Sequence, residues 1–329
     1  MLQTPILLIT FNRPNHVRQV LTEILKQEPQ ELYICQDGAR EGNNNDRIKC
    51  QEVRDVINEL TSAYTIGHRE FTLHTLYHEK NLGCGSGPAA GITWFFEHVE
   101  MGIILEDDCL PHSEFFLYCE ELLGKYKFDN QVSFIGGCNY NIPVNAIESY
   151  SFMGGHHQTW GWASWRRVWT QFDYYLNYWD IKLFQRVIKQ YYKDRKQQNY
   201  WVEIFEKVKR DRLDESCWDY QFYFSCWKNQ QYAIYPKVNL VSNVGCGNDA
   251  THTNADGNAL LCIQTQSIMP LKHPRKVIYD QYIDDSMMRK YIIPYEYGWS
   301  GIKRFPYRVN KFIKKLFNHQ GPWIKCKKK

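Results

Sequence analysis

The feature that most constrains this chain is an alternation running through its first 140 residues, in which short apolar runs take turns with stretches of helical periodicity. Ile6-Leu7-Leu8-Ile9 reads as a buried strand from its length and β-branching. Pro14 can open the helix that follows, where Val17, Val20, Leu21 and Ile24 recur at helical spacing. Residues 32–35 form a second apolar run that ends at Asp37-Gly38, and a helix is expected around residues 48–60. Residues 71–77 read as a third strand, after which Gly83-Cys84-Gly85-Ser86-Gly87 leads into a helix over 88–98. Residues 102–105 are a fourth strand, ending in Glu106-Asp107-Asp108. This βαβαβαβ order predicts an α/β fold with a mainly parallel, Rossmann-like central sheet flanked by helices. Ligands of such sheets bind beyond the carboxyl ends of the strands, and the polar signals gather there: residues 10–13, Asp37, Asn81 and residues 106–108.

Beyond residue 130 the pattern changes to α+β. Residues 132–137 read as a strand, and Trp160-Gly161-Trp162-Ala163-Ser164-Trp165 as an aromatic turn with a helix behind it. On that helix Trp165, Val168, Trp169 and Phe172 would form a buried face, leaving Trp160 and Trp162 freer to contact a sugar. Two polar helices are expected within 180–212, broken near 197–199, and a further helix over 218–227. Residues 233–235 and 238–241 read as short strands.

Composition excludes several classes. With 43% hydrophobic and 23% charged residues the chain can bury a core and is not a disordered protein. No apolar run approaches the length of a membrane-spanning helix, and the first residues carry no signal-peptide pattern. The 11 cysteines form no C-x-x-C pair, which argues against zinc ribbons and redox motifs and for a reducing cytoplasm. The net charge of +4 hides an asymmetry: residues 301–329 hold ten Lys or Arg and no acid, whereas the rest holds 30 basic against 36 acidic groups. A mildly acidic body is a poor nucleic-acid surface, and no nucleic-acid partner is expected. In the basic tail, Val309, Phe312, Ile313, Leu316 and Phe317 share one helical face. A basic amphipathic helix over 308–318, then Trp323 and a Lys cluster, suits an anionic inner leaflet, with a helix packed on the catalytic domain as the plainer reading.

Glu106-Asp107-Asp108 is the strongest chemical signal. Carboxylates crowded at the end of a buried strand repel one another unless a cation compensates, and hard oxygen ligands suit Mg²⁺ or Mn²⁺. The plainer reading is a set of acids at a helix N-terminus, since a helix starts near Ser113. Asp37-Gly38 has a turn as its plainer reading, and Arg13 a solvated cation. No dinucleotide G-x-G-x-x-G and no Walker P-loop is present.

Taken together, Thr10-Phe11-Asn12-Arg13, Asp37-Gly38, Asn81-Leu82-Gly83 and Glu106-Asp107-Asp108 resemble the GT-A nucleotide-sugar glycosyltransferases over roughly residues 4–255. The acidic triplet is similar to that of the Golgi N-acetylglucosaminyltransferases that begin complex N-glycan branching. The stretch Trp160-Gly161-Trp162-Ala163-Ser164-Trp165-Arg166-Arg167 resembles bacterial polysaccharide glycosyltransferases. The resemblance implies a catalytic domain over 1–255, with a nucleotide-sugar half (1–130) and an acceptor half (131–255), and a C-terminal extension over 256–329. It implies that Asp108 ligates Mn²⁺ or Mg²⁺, that Asp107 sits near the ribose, and that Glu106 sits near the ribose or donor sugar. Thr10, Phe11 and Arg13 would line the nucleoside pocket, Asp37 would accept from a uracil N3–H, and Asn81 and Gly83 would belong to the same donor site. His252, within the glycine-containing segment 243–253, would complete the metal shell or bind the diphosphate. Asp219, opening a helix between Trp218 and Phe222, would be the base that takes the acceptor hydroxyl's proton, with Asp214 and Glu215 as rivals. Trp218 and Phe222 would offer walls on which a sugar ring stacks. His156 and His157 are a weaker metal pair.

The implied activity is an inverting, metal-dependent transfer from a nucleotide sugar, UDP-linked, to a glycan or lipid-linked glycan in surface polysaccharide synthesis. Its setting would be the cytoplasm, peripheral to the inner face of the plasma membrane. A sugar-1-phosphate nucleotidyltransferase and a non-catalytic carbohydrate-binding protein are the alternatives.

Overall fold

The first four strands are β1 (Ile6–Thr10), β2 (Glu31–Gln36), β3 (Thr72–Tyr77) and β4 (Met101–Glu106). They pair in parallel in the order β3-β2-β1-β4. The crossovers are the helices α1 (Pro14–Leu25), α2 (Asn44–Gly67) and α3 (Gly83–His98). β1 is buried along its whole length because it pairs on both edges and is covered by helices, which is what a run of Ile and Leu without alternation demands. The register sets Ile9 opposite both Cys35 and Glu106, so the strands end level with one another and the residues after each tip share one edge. This computed structural model describes residues 1–67, 71–144, 148–155, 159–177, 179–211, 217–245 and 263–292.

The sheet then continues in mixed sense. β5 (Cys109–Pro111) and α4 (Ser113–Lys125) lead to β6 (Val132–Gly136), β7 (Tyr150–Met153) and β8 (Trp162–Trp165). After them come α5 (Arg166–Trp169), α6 (Ile181–Tyr191), α7 (Arg195–Asp211) and α8 (Asp219–Lys228). β9 (Tyr232–Pro236), β10 (Val241–Asn243) and α9 (Gln281–Met287) close the order. The full sheet runs β3-β2-β1-β4-β8-β6-β9-β7, and four of its seven pairings are parallel. β10 and β5 form a separate antiparallel ribbon. Met1–Asp284 is one compact unit and Asp285–Lys329 is a second. Within the first unit, Glu114 accepts the backbone N–H groups of Ile268 (2.6 Å) and Met269 (2.9 Å) and so fixes the segment after residue 263.

Three local expectations are corrected. The glycine cluster is not a loop before a helix: α3 begins at Gly83 and contains Pro88. The break between the two polar helices falls at 192–194 rather than 197–199, and the last short strand is Val241–Asn243. The aromatic segment at 160–165 is a central strand, β8, between β4 and β6, and the helix behind it is a single turn. Trp162 is fully buried, stacked on Phe134 (5.0 Å between ring centroids) and Trp218 (5.6 Å), and so is core rather than a free sugar platform. Trp218 and Phe222 are buried in the same cluster, so they are not walls for a sugar either; Trp160 alone of the group is half-buried, edge-on to Tyr140.

This assignment of Trp162 has a measurable consequence. Trp162→Ala should cost about 3–5 kcal/mol of stability, the usual penalty for emptying a packed aromatic site. Urea unfolding should show the midpoint falling sharply, whereas a Trp160→Ala chain should unfold close to wild type.

Candidate active site

A 300 Å³ cavity opens at the carboxyl edge of the parallel half of the sheet. Each strand tip contributes to it: Thr10, Phe11 and Arg13 after β1, Asp37 and Arg40 after β2, Asn81 and Gly83 after β3, and Glu106 and Asp107 at and after β4. Every residue that the sequence assigned to the donor site therefore lines one cavity, together with Cys84, Gly87 and Pro88, which the sequence reading did not assign to it. Thr10 is buried, and its hydroxyl donates to the Cys35 carbonyl (3.2 Å), tying β1 to β2 at the cavity floor.

Asp37 organises the opposite wall. Its carboxylate accepts the backbone N–H groups of Gly38 (2.8 Å), Leu82 (2.8 Å) and Gly83 (3.0 Å), and the amide of Asn81 (2.9 Å). Leu82 and Gly83 stand at the start of α3, so Asp37 caps that helix from a different strand, where no local side chain does so. Burial pushes its pKa up, against the three backbone donors that pull it down. Two glycines make the approach possible. A Cβ at Gly38 would sit 2.5 Å from the Lys80 carbonyl carbon, and Gly83 has φ +84°, where L side chains are strained.

The acidic row lies at the other end. Asp107 is buried and accepts the Phe11 N–H (3.3 Å). One guanidinium nitrogen of Arg13 bridges Asp107 (3.2 Å) and Asp108 (3.0 Å). Sequence reasoning assigned Arg13 to the nucleoside pocket; the structure adds this role as counter-ion, which no spacing pattern announces because 94 residues separate the partners. Burial first, then the charges of Asp108, Asp107 and Asp219, hold Glu106 well above the ordinary carboxylate range. Burial likewise raises Asp107, with Arg13 opposing it. Four carboxylates thus share one region with one guanidinium between them. Among the described residues no three His, Cys, Asp or Glu side chains converge as a metal cage. The carboxylates of this row are hard oxygen donors of the type that Mg²⁺ or Mn²⁺ accepts, and such ions commonly take only one or two protein carboxylates.

Asp219 begins α8 and is held at both oxygens: Oδ1 accepts the Tyr220 N–H (3.0 Å) and Oδ2 the Tyr223 hydroxyl (2.8 Å). Tyr223 is buried, and burial together with the Asp219 charge pushes its pKa up, so it stays a donor. The Asp219–Tyr223 spacing of four in a helix was a signal available in the sequence and not used. The β5–β10 ribbon brings residues 243–245 to the acidic row: the Val244 N–H donates to the Asp108 carbonyl (2.8 Å), and a Cβ on Gly245 would run into the Asp108 carboxylate. His252, Asp214, Glu215, His156, His157 and the helix expected at 308–318 lie outside the described residues.

No protein-family model matches the chain, and no curated protein matches it. Solved structures with partial likeness include 4-diphosphocytidyl-2C-methyl-D-erythritol synthase from Anaerococcus prevotii, at 6% identity and TM-score 0.29, covering 51% of this chain and 74% of that one. HddC from Yersinia pseudotuberculosis shares 8% identity at TM-score 0.27, covering 50% and 78%. A UDP-glucose pyrophosphorylase complexed with UDP-glucose shares 9% at TM-score 0.28, covering 52% and 79%. Likenesses this distant carry no argument about chemistry, and the reading below rests on the site.

The cap made by Asp37 separates structure from binding. Asp37→Ala should lower stability by about 2 kcal/mol, because it strands the donors at the start of α3. Urea unfolding without any nucleotide checks this; unchanged stability would leave Asp37 with no role in holding the fold.

Proposed function

We propose that the chain is an inverting, metal-dependent glycosyltransferase that uses a UDP-sugar. One observation carries the reading: the tips of β1, β2, β3 and β4 line a single cavity that ends at a carboxylate row short of positive charge. A nucleoside fits the end walled by Thr10, Phe11 and Asn81, and the diphosphate lies toward Asp108. Asp108, with His252, would hold Mn²⁺ or Mg²⁺, which when bound supplies positive charge for the departing diphosphate. Arg13 keeps Asp107 and Asp108 in place and adds a second cation beside the phosphates. Asp219 takes the proton of the acceptor hydroxyl, and the Tyr223 hydroxyl aims that carboxylate. The acceptor is a glycan or a lipid-linked glycan, and the basic segment 308–329 would keep the chain at an anionic inner leaflet.

The alternative of a sugar-1-phosphate nucleotidyltransferase stands beside this reading, because a cavity at the strand tips that ends at a carboxylate row would equally suit a metal-bound nucleoside triphosphate. The deciding assay offers two substrate sets in parallel: UDP-sugars with Mn²⁺, scored for free UDP, and UTP with sugar 1-phosphates, scored for pyrophosphate. Turnover of only the second set would replace the glycosyltransferase reading.

With the first set, Asp108→Ala should bring turnover to background. Asp219→Asn should keep UDP affinity and slow turnover by about 10²-fold or more. An α-linked UDP-sugar should yield a β-linked product by NMR of the anomeric proton, and an α-linked product would exclude a single displacement. In sedimentation with anionic liposomes the full chain should partition in a salt-sensitive way and a chain ending at Tyr307 should not. Equal, salt-insensitive partitioning of both would remove the membrane role from the tail.

A further inference from the structure

A second and larger cavity, 670 Å³, lies behind the nucleotide wall, between the N-terminal half of α2 and the end of β3. Arg40, Arg47, Arg54 and Lys80 line it. Its size falls in the range of small-molecule sites. Arg40 is ion-paired with the buried Asp46, so its charge is already met. The other three are not: among the described residues no carboxylate lies within ion-pair distance of Arg47, Arg54 or Lys80. Glu41 and Glu79 also line the cavity, but both are exposed and neither pairs with these cations.

Arg54 is held ready for a ligand. Its Nε donates to Gln36 Oε1 (2.7 Å), and its guanidinium stacks on the Tyr77 ring, 4.7 Å from the centroid. Gln36 is fully buried and itself donates to the Phe11 and Cys50 carbonyls, so the group that aims Arg54 is fixed by the sheet. An oriented guanidinium whose two terminal nitrogens have no partner among the described residues matches the two-pronged geometry of phosphate recognition. Arg47, on α2, and Lys80, in the bend after β3, bring further positive charge to the same space. With Arg40 met by Asp46, three cations without an ion pair among the described residues share the cavity with two carboxylates, and this excess of positive charge favours an anion there.

We propose that this cavity is a binding site for a small phosphate- or diphosphate-bearing anion from solution, distinct from the nucleotide pocket. The two cavities share Arg40 and Asn81 as a common wall but differ in their cations: Arg13 belongs to the first, and Arg47, Arg54 and Lys80 to the second. The assignment does not depend on which transfer reaction the neighbouring site performs.

The test is calorimetric titration of the full chain with inorganic pyrophosphate at low salt, with a chelator present so that no divalent cation takes part. Wild type should bind at one site. The double variant Arg47→Gln/Lys80→Gln, whose side chains make no contact on which the described fold depends, should bind about tenfold more weakly. Arg54→Lys keeps the charge, loses the fork and should weaken binding to a similar degree. Arg18→Gln removes an exposed cation that lines neither cavity and should leave the affinity unchanged. The proposal is overturned if wild type does not bind, if the double variant binds as wild type does, or if Arg18→Gln weakens binding as much as the double variant.

Discussion

Like charges at the end of a buried strand are the constraint around which this molecule is arranged. Glu106, Asp107 and Asp108 close β4, and Asp219 adds a fourth carboxylate to the region. Water cannot screen them fully where they are buried, so the fold must supply positive charge or donors. It does so from β1: parallel pairing of β1 with β4 sets the residues after Ile9 beside those after Glu106, and Arg13 reaches both Asp107 and Asp108. Pro14 follows at once and begins α1, so the backbone at Arg13 is fixed between a strand and a helix start.

The parallel half was legible in the sequence because its signals are local. Ile6-Leu7-Leu8-Ile9 can hardly be anything but a strand buried on both faces, and α1 shows its inner face as Val17, Val20, Leu21 and Ile24, all buried. The parallel sense of the sheet followed from the alternation of strands and helices, and the place of the cavity from the rule that such sheets bind at their carboxyl ends. What misled was composition without periodicity. Gly83, Gly85 and Gly87 suggested a loop, yet they open α3, because the Asp37 carboxylate caps that helix from across the sheet and only a residue without a bulky side chain lets it come close; a Cβ at Gly87 would be 3.2 Å from Asp37 Oδ2. Likewise Trp162 and Trp165 read as turn and helix because Gly161 and the helical spacing of Trp165, Val168, Trp169 and Phe172 outweighed the strand preference of Trp, and pairing with β4 and β6 decided the matter.

Site residues divide along the same line. Asp37, Asn81 and the acidic row could be named because each directly follows a predictable strand. The Arg13 bridge, the Asp37 cap and the β5–β10 ribbon could not, since each joins positions far apart in the chain. Asp219 sits between: the helix was visible, but its aromatic flanks turned inward, and what the helix gives the carboxylate is the Tyr223 hydroxyl one turn on.

The ribbon also sets the order in which the molecule can mature. β5 is only three residues long, and among the described residues its strand partner is β10 alone, which the chain reaches after roughly 130 further residues. Closing so long a loop is slow, and it comes after the parallel half can already have formed its own nearer contacts. The wall of the cavity beside β2 and β3 can therefore be in place while Asp108 still lacks the Val244 and Gly245 backbone that covers it, so the cavity and the cover over its acidic row form at separate stages of folding.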